Sequence, residues 1–490
     1  MEVRRRSAKV VTFGCQMNER DSETIMGILS SLGFEESSKV EDADIVIFVT
    51  CCVRENAENR AFGNLGEMKR LKEGNPNLVV GMCGCMAQRS DLREIVRARM
   101  PWVNLVFGTH NIHRLPELLE RVFAGERVVE VWDEPDEVVE GLPAVRAYGH
   151  KAFVNITYGC DNFCTYCIVP YVRGRERSRR MEDVVAEVCD LAGSGCVEVT
   201  LLGQNVNSYG RGLPPLPSGS SPDFADLLHE VNLVDGIRRI RFTTSHPRDF
   251  SDKMIEAVAS SEKVCEHFHL PLQAGSDRVL EMMHRGYTAE RYLALLDRIR
   301  EAVPGASITT DIMVGFPGET EEDFQATMDV VRQARFDAAF TFIYSPRPGT
   351  VAARMPDQIE DEVKHDRVYR LIDLVNSIAS EVNDELCGSI VEVMVEGPSE
   401  RDPSVLSGRT RTNKMIHWTS DKAHNPGDIV MLRVSQTRTW TLYGEEIEVR
   451  SGHRGTLTCD GHEAAGEEMQ GRTARSSGLA TDGRCDCNDV

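Results

Sequence analysis

Cys160, Cys164 and Cys167 lie within the stretch YGCDNFCTYCIVPYVRGRERSR, and an arginine-rich run follows them at once. Three thiols so close together can knot a zinc ion, form a redox pair or hold an iron–sulfur cluster. Structural zinc almost always takes four ligands, and the C-x3-C-x2-C spacing supplies three. A four-iron cluster on three thiolates leaves one iron open to a small molecule. Cys15, Cys51 and Cys85 are far apart in the chain but share a context. Each follows a β-prone run: KVVTFG from Lys9, ADIVIFVT from Ala43 and NLVVGMCG from Asn77.

The elements around these runs must position the thiols. Helical segments from Glu19 to Leu32 and from about Ala57 to Lys72 separate them, and a short strand NLVFG starts at Asn104. Such alternation predicts an α/β domain with a parallel sheet over residues 1–125. Sites in open sheets form at the carboxyl ends of the strands, so Cys15, Cys51 and Cys85 are expected to converge there. The acidic, polar residues 126–148 read as a linker.

Alternation resumes over residues 149–386. Six candidate strands are FVNIT from Phe153, VEVTLLG from Val197, IRRIRFTT from Ile237, FHLPLQ from Phe268, SITTDIMVG from Ser307 and AAFTFIY from Ala338. Six βα units predict a (β/α)6 partial barrel whose site lies on the loops after the strands. The first of these loops is the cysteine stretch. LLGQNVNSYG follows the second strand and marks Gly203, Gln204 and Asn205. DIMVGFPGET ends the fifth and marks Gly315, Phe316 and Gly318, where glycine lets backbone approach a ligand closely. A helix from about Glu360 to Leu386 leads into short β-prone runs over 387–450, which predict a small β-barrel. Residues 451–490 are rich in Gly, Ser, Thr and Arg, and are expected to be disordered.

The totals bound the function. The chain has 490 residues, 41% of them apolar and 27% charged. No apolar run approaches the roughly 20 residues that span a bilayer, and the run after the basic N-terminus is too short for a signal peptide. The expected location is cytoplasmic, without membrane attachment. The 15 cysteines are then more readily metal ligands or reactive groups than disulfides. A formal net charge of -21 argues against a protein that coats nucleic acid non-specifically. From Arg401 to Arg438, however, seven Lys/Arg face three Asp/Glu. That local excess marks Arg409, Arg411 and Lys414 as candidate phosphate contacts.

The C-x3-C-x2-C spacing on the first barrel loop resembles the radical S-adenosylmethionine superfamily. FGCQMNERDSE, TCCVRENAENR, GCMAQR, LLGQNVNSYG, RFTTSHP, HLPLQAGSDRVLEMMHRGYT, DIMVGFPGET and GRTRTNK, together with the cysteine stretch, resemble the methylthiotransferases across roughly residues 9 to 450. GCQMN and CIVPYVRG are most similar to the branch that acts on N6-dimethylallyladenosine in tRNA.

The resemblance implies methylthiolation of C2 of that base at position 37, with S-adenosyl-L-methionine and two [4Fe-4S] clusters. Cys160, Cys164 and Cys167 would hold the first cluster and Cys15, Cys51 and Cys85 the second. Gly203, Gln204, Asn205, Gly315, Phe316 and Gly318 would contact S-adenosylmethionine. The C-terminal barrel would be a TRAM-like RNA-binding domain. Partners would be tRNA, a flavodoxin- or ferredoxin-like electron donor and a sulfur donor, with the enzyme a monomer.

Two rivals stay open. One is the same chemistry on a ribosomal-protein aspartate or on threonylcarbamoyl-adenosine; the other is a non-catalytic RNA-binding protein that bears clusters. The chain departs from the family where Val49 replaces an asparagine and Cys52 a serine. Cys52 and Cys83 are expected to be spectators pointing away from the ligand set. Cys189 and Cys196 are expected to pack as small hydrophobes, while Cys265, Cys387 and the tail thiols Cys459, Cys485 and Cys487 carry no assignment. Arg173, Arg175 and Arg177 could serve a cluster, S-adenosylmethionine or RNA.

Overall fold

The computed structural model describes residues 6–53, 55–133 and 138–447. The expected disordered tail, with Cys459, Cys485 and Cys487, lies outside them.

The first six strands are β1 (Ser7–Thr12), β2 (Glu35–Glu36), β3 (Ile45–Thr50), β4 (Val79–Gly84), β5 (Leu105–Phe107) and β6 (Val128–Glu130), in the order β2-β1-β3-β4-β5-β6. Every pair is parallel. Strands β3 and β4 are buried along their whole length, as a sheet covered on both faces requires. Alternate residues therefore feed two cores. Val46, Phe48, Val80 and Met82 face one, while Ile45, Ile47, Val79 and Cys83 face the other.

β6 corrects the expected linker. Val128 to Glu130 extend the sheet beside β5, and the later residues strap the helix Gln16–Ser31. The backbone N–H of Val145 donates to Glu23 O at 3.0 Å, and that of Ala147 to Glu23 Oε1 at 3.1 Å. A polar composition hid these ties because they use backbone groups and charge pairs.

The central domain contains β7 (Lys151–Asn155), the short antiparallel pair β8 (Thr157–Tyr158) and β9 (Arg177–Ser178), then β10 (Glu198–Leu202), β11 (Arg239–Phe242), β12 (His267–His269), β13 (Ser307–Val314) and β14 (Ala338–Ile343). Two parallel sheets, β7-β10-β11 and β12-β13-β14, are joined where Ile240 bridges Val264. Among the described residues, β14 does not pair with β7, so the barrel is open. Helices on its outside bury one continuous apolar core with Val199, Phe242, Phe268, Ile312 and Phe324.

The helix Asp361–Asp384 leads to β15 (Ile390–Pro398), β16 (Leu406–Thr410), β17 (Met415–Trp418), β18 (Ile429–Thr437) and β19 (Thr441–Glu446). These close a small barrel in the order β15-β16-β17-β19-β18 around Val393, Ile416, Trp418 and Leu432. No helix among the described residues is long and apolar enough to cross a membrane.

Candidate functional site

Cys15, Cys51 and Cys85 sit at the carboxyl ends of β1, β3 and β4. Two glycines press these ends together. A Cβ on Gly14 (φ +109°) would lie 2.8 Å from Cys51 Sγ, and one on Gly84 (φ +94°) 2.4 Å from Thr50 O. Only glycine takes such φ values without strain and leaves that space free. Asn18 Nδ2 ties the ends further, donating to Phe13 O at 2.6 Å and Thr50 O at 3.1 Å. Cys15 is the N-cap of the helix Gln16–Ser31, and Cys85 opens the short helix Cys85–Gln88.

The neighbouring thiols divide. Cys83 lies in the sheet core with Phe107 and Leu115, and its Sγ lies 3.6 Å from Gly108 O. It points away, as expected. Cys52 does not. It lies in the same core as Cys85, and the Cys85 thiol and burial together raise its pKa. The expectation that Cys52 points elsewhere fails because the chain leaves the pleat after Thr50, so strict alternation no longer governs it. The neighbouring Cys52 thiol and the Arg173 guanidinium lower the Cys85 pKa against the opposing effect of burial.

The second set is on the loop after β7 and β8. Cys160 N–H donates to Gly174 O at 3.2 Å, and Cys167 N–H to Cys164 O at 2.9 Å. Phe163 takes a left-handed φ of 46°. Burial, and then the nearby Cys164 thiol, push Cys167 up to about 12. Burial likewise pushes Cys160 up to about 11. These thiols hold their protons until a cation replaces them.

Both sets fit an iron–sulfur cluster by the chemistry of their donors. Each offers three thiols and a buried guanidinium aimed at sulfur. Arg285 Nη1 lies 3.4 Å from Cys164 Sγ, and Arg173 Nε lies 3.4 Å from Cys85 Sγ. Arg285 is buried and no ion pair to a carboxylate is found for it among the described residues. An anionic thiolate-bound group would compensate that charge. Among the described residues, no group of three or more Cys, His, Asp or Glu side chains meets the geometry for holding a metal ion.

The two sets belong to one space. Ile168 and Val172, from the cysteine loop, pack into the N-terminal core beside Cys52 and Cys85. Arg173 Nη2 donates to Asn18 Oδ1 at 2.6 Å and pairs with Asp21 at 2.8 Å. Across the gap, Thr243 Oγ1 meets Gln16 Oε1 at 3.5 Å. Charge counting had marked Arg173 without a role. Arg285 and His246 gave no separate signal, although both lie in quoted motifs.

The expected S-adenosylmethionine contacts are only partly free. Asn205 is a brace: its Oδ1 accepts the His246 N–H at 3.1 Å and its Nδ2 donates to Asp249 at 3.0 Å. Gly203 abuts Thr157, whose Oγ1 a Cβ would meet at 2.1 Å. Gly315 N–H is taken by Glu319 Oε2 at 2.7 Å, Phe316 packs edge-on to Tyr344, and Gly318 N–H donates to Asp357 O at 2.9 Å. Yet Gln204 Oε1, Ser245 Oγ, His246 Nε2 and Tyr344 OH are buried without a hydrogen-bond partner. Buried polar groups are rarely left so, and these lie on the loops where a polar small molecule would bind.

The expected phosphate contacts have partners within the protein. Arg411 pairs with Glu266 at 2.7 Å, and Lys414 with Asp337 at 2.6 Å. Arg409 lies 3.6 Å from Glu396, and its carbonyl accepts from Arg239 at 2.8 Å. Glu266, Arg239 and Asp337 stand at the start of the barrel strands, opposite the cysteine loop. The basic loop therefore docks the small barrel onto the central domain, and the charges of Arg411 and Lys414 are spent there. More exposed candidates are Arg438, whose guanidinium lies 5.8 Å from the Tyr443 ring, and Trp440, which is 45% exposed; Arg175, 5.2 Å from the Phe163 ring, is also exposed but pairs with Asp161 at 3.0 Å.

Residues 154–331 match the Radical SAM superfamily, and residues 7–108 the uncharacterized protein family UPF0004. The chain is 52% identical over 441 residues to the tRNA-2-methylthio-N(6)-dimethylallyladenosine synthase of Alkaliphilus oremlandii, covering 90% of this chain and 92% of that one. It belongs to that family. The synthase of Moorella thermoacetica is also 52% identical, over 91% of this chain and 99% of its own. Among solved structures, the radical S-adenosylmethionine methyltransferase TsrM of Kitasatospora setae, with tryptophan substrate and a SAM analog bound, matches with a TM-score of 0.54 at 14% identity, over 86% of this chain and 79% of that one. That likeness bears on the fold alone. The synthase family and the architecture agree on a radical S-adenosylmethionine enzyme.

Proposed function

We propose that this enzyme attaches a methylthio group to C2 of N6-dimethylallyladenosine at position 37 of tRNA, in the cytoplasm and as a monomer. Cys160, Cys164 and Cys167 would hold one [4Fe-4S] cluster, and Cys15, Cys51 and Cys85 the other. The bound clusters and S-adenosylmethionine supply what side chains cannot, the activation of an aromatic C–H bond and the sulfur that replaces its hydrogen. A flavodoxin- or ferredoxin-like donor would supply electrons, and a separate donor would supply sulfur.

The chain's own residues position and insulate. Arg173 and Arg285 donate to ligand sulfurs, and such bonds tune cluster potential. Thr243 and Gln16 hold the N-terminal edge against the barrel mouth, so the base presented there can meet both sites. Arg175 on Phe163 and Arg438 on Tyr443, with exposed Tyr171 and Trp440, offer cations and aromatic faces of the kind that bind single-stranded RNA.

One observation carries the reading: Arg173, six residues after the last ligand of one thiol set, reaches a thiol of the other. Two sites so joined suit a transfer that uses both on one substrate. The test is nucleoside analysis of tRNA from a strain lacking this gene. Loss of the 2-methylthio nucleoside, with its unmethylthiolated precursor accumulating, supports the reading. An unchanged nucleoside profile overturns it.

A further inference from the structure

Electrons that reach the cysteine loop must cross protein, because Cys164 is buried. One exposed segment is joined to that loop by a single hydrogen bond. The backbone N–H of Ala352 donates to Thr165 O at 2.9 Å, and Thr165 is the residue after Cys164. Thr165 is pinned further: its N–H donates to Met283 O at 3.1 Å and its Oγ1 to Met282 O at 2.9 Å. Farther along, the same loop turns toward the N-terminal domain through Ile168, Val172 and Arg173. The base must enter between the domains, so electrons need a route that stays open when tRNA is bound.

The exposed segment is built to hold its shape. Thr350 is buried, and its N–H and Oγ1 both donate to Arg347 O, at 3.1 Å and 2.8 Å. Gln358 Nε2 donates to Ala352 O at 3.1 Å and to Met355 O at 3.0 Å. Ala352 opens the short 3-10 turn Ala352–Arg354 and packs into the barrel core. Arg354 N–H donates to Val351 O at 3.0 Å. Side chains three apart in such a turn lie on one face. Val351, 52% exposed, and Arg354, also exposed, therefore stand together on the outside.

A single exposed valine means little. Here the apolar surface continues. Pro346 and Pro348 are exposed beside it, and Arg347 Nη2 donates to the carbonyl of Val53 at 3.2 Å. Val53 is 46% exposed, and its own N–H donates to Cys51 Sγ at 3.4 Å. One small surface thus reaches the frames of both thiol sets.

Its charge also differs from that of the chain. Residues 344–356 hold two arginines and no Asp or Glu, in a protein of net charge -21. Glu58 lies 3.8 Å from Arg347 and is held by Arg89 at 3.1 Å. Asp357 follows Pro356, where the backbone turns with a left-handed φ of 58°. No ion pair is found for Arg354 among the described residues. Electron-transfer encounters bury little surface, below about 1,200 Å². Interfaces favour apolar groups at the centre, with arginine enriched. A small apolar centre edged by one arginine, a hydrogen bond away from the residue beside Cys164, has both features.

We propose that residues 347–354, with Val53, are the docking surface for a one-electron carrier protein that presents a carboxylate to Arg354. The proposal rests on the functional reading above, which calls for such a donor, and gives that donor a place. On docking, the carrier loses one electron and the cluster held by Cys160, Cys164 and Cys167 gains it. No covalent bond of the chain forms or breaks. The Ala352–Thr165 hydrogen bond and the Thr165–Cys164 backbone make the connection short.

The test uses the cluster-loaded enzyme with a flavodoxin and, separately, a ferredoxin. Carrier affinity is measured by titration, and cluster reduction is timed by its loss of visible absorbance after mixing with each reduced carrier. The variant combines Val351→Glu and Arg354→Glu; both side chains are exposed, so the fold should tolerate them. Facing like charges should weaken carrier binding about tenfold or more, with reduction at low carrier concentration slowed to match. Reduction by dithionite, iron content and tRNA affinity should equal those of wild type. Equal carrier affinity and equal reduction rates in variant and wild type would overturn the assignment. So would slowed reduction by dithionite, or a loss of tRNA affinity, which would make this an RNA surface. A wild-type enzyme that takes electrons from neither carrier would overturn it as well. A wild-type enzyme that dithionite reduces but that cleaves no S-adenosylmethionine would overturn the functional reading, whatever the carriers do.

Discussion

Arg173 Nε stands 3.4 Å from Cys85 Sγ, although the two residues belong to different domains. The same guanidinium reaches Asn18 and Asp21. One buried cation thus ties the loop of the first thiol set to the strand ends that carry the second.

Removing it should be costly. Arg173→Met keeps the aliphatic stem but leaves Asp21 without its cation, a change worth about 3 kcal/mol when one partner of a buried pair is lost. Denaturant unfolding should show that loss. Iron retained per chain should fall toward the content of one cluster, because the N-terminal thiols lose their donor. Unchanged iron and stability would mean that the contact is incidental.

Cys52 and Cys83 should now behave differently. Cys52→Ser keeps a polar O–H beside Cys85 and should retain full iron, whereas Cys52→Ala leaves an apolar methyl there and should slow cluster assembly at the N-terminal site. Cys83→Ser puts a hydroxyl in an apolar core and should cost about 1–3 kcal/mol, with iron content unchanged. Iron titration and thermal melting of the three variants distinguish these outcomes. Loss of iron in Cys83→Ser would contradict its place in the sheet core.

The small barrel offers a sharper contrast. Replacing Arg411 and Lys414 by alanine should loosen its docking, seen as a lower melting temperature and new protease cleavage near residue 387. The salt dependence of tRNA binding should hardly change. Replacing Arg438 by alanine should lower that slope by about one, and Trp440→Ala should weaken binding through lost stacking. A flattened salt slope in the Arg411 and Lys414 variant would restore them as phosphate contacts.

The ion pairs of Arg411 and Lys414 were not legible for a physical reason. Counting charge between Arg401 and Arg438 sees the cations but not Glu266 and Asp337, which only the fold brings near. The strand ends were legible because Cys15, Cys51 and Cys85 each follow an apolar run, and both buried strands and open-sheet sites obey general rules. The three-thiol loop was legible from spacing. The strand at Val128 was not, because it is three residues long and lies in a polar stretch.

A second interdomain lock should make stability depend on pH. Burial opposes the charge of Glu187, but Arg179, Arg20 and Arg146 outweigh it and hold the carboxyl down at about 2. A depressed pKa gives stability that is fully present above the ordinary carboxylate range and lost as pH falls toward the folded value. The contribution is about 3 kcal/mol, fading from about pH 4.5 downward. Urea unfolding of the metal-free chain at pH 7 and pH 3.5 should show Glu187→Gln much less stable than wild type at pH 7 and closer to it at pH 3.5. An equal gap at both pH values would remove Glu187 from the account.

The central claim is that two thiol sets, one per domain, serve one reaction with separable parts. The direct measurement is a reconstituted assay on tRNA that follows S-adenosylmethionine cleavage and 2-methylthio nucleoside together. Replacing Cys160, Cys164 and Cys167 by alanine should abolish both. Replacing Cys15, Cys51 and Cys85 should leave cleavage and abolish the methylthio product. Methylthiolated adenosine formed by the Cys15, Cys51 and Cys85 variant would contradict the account.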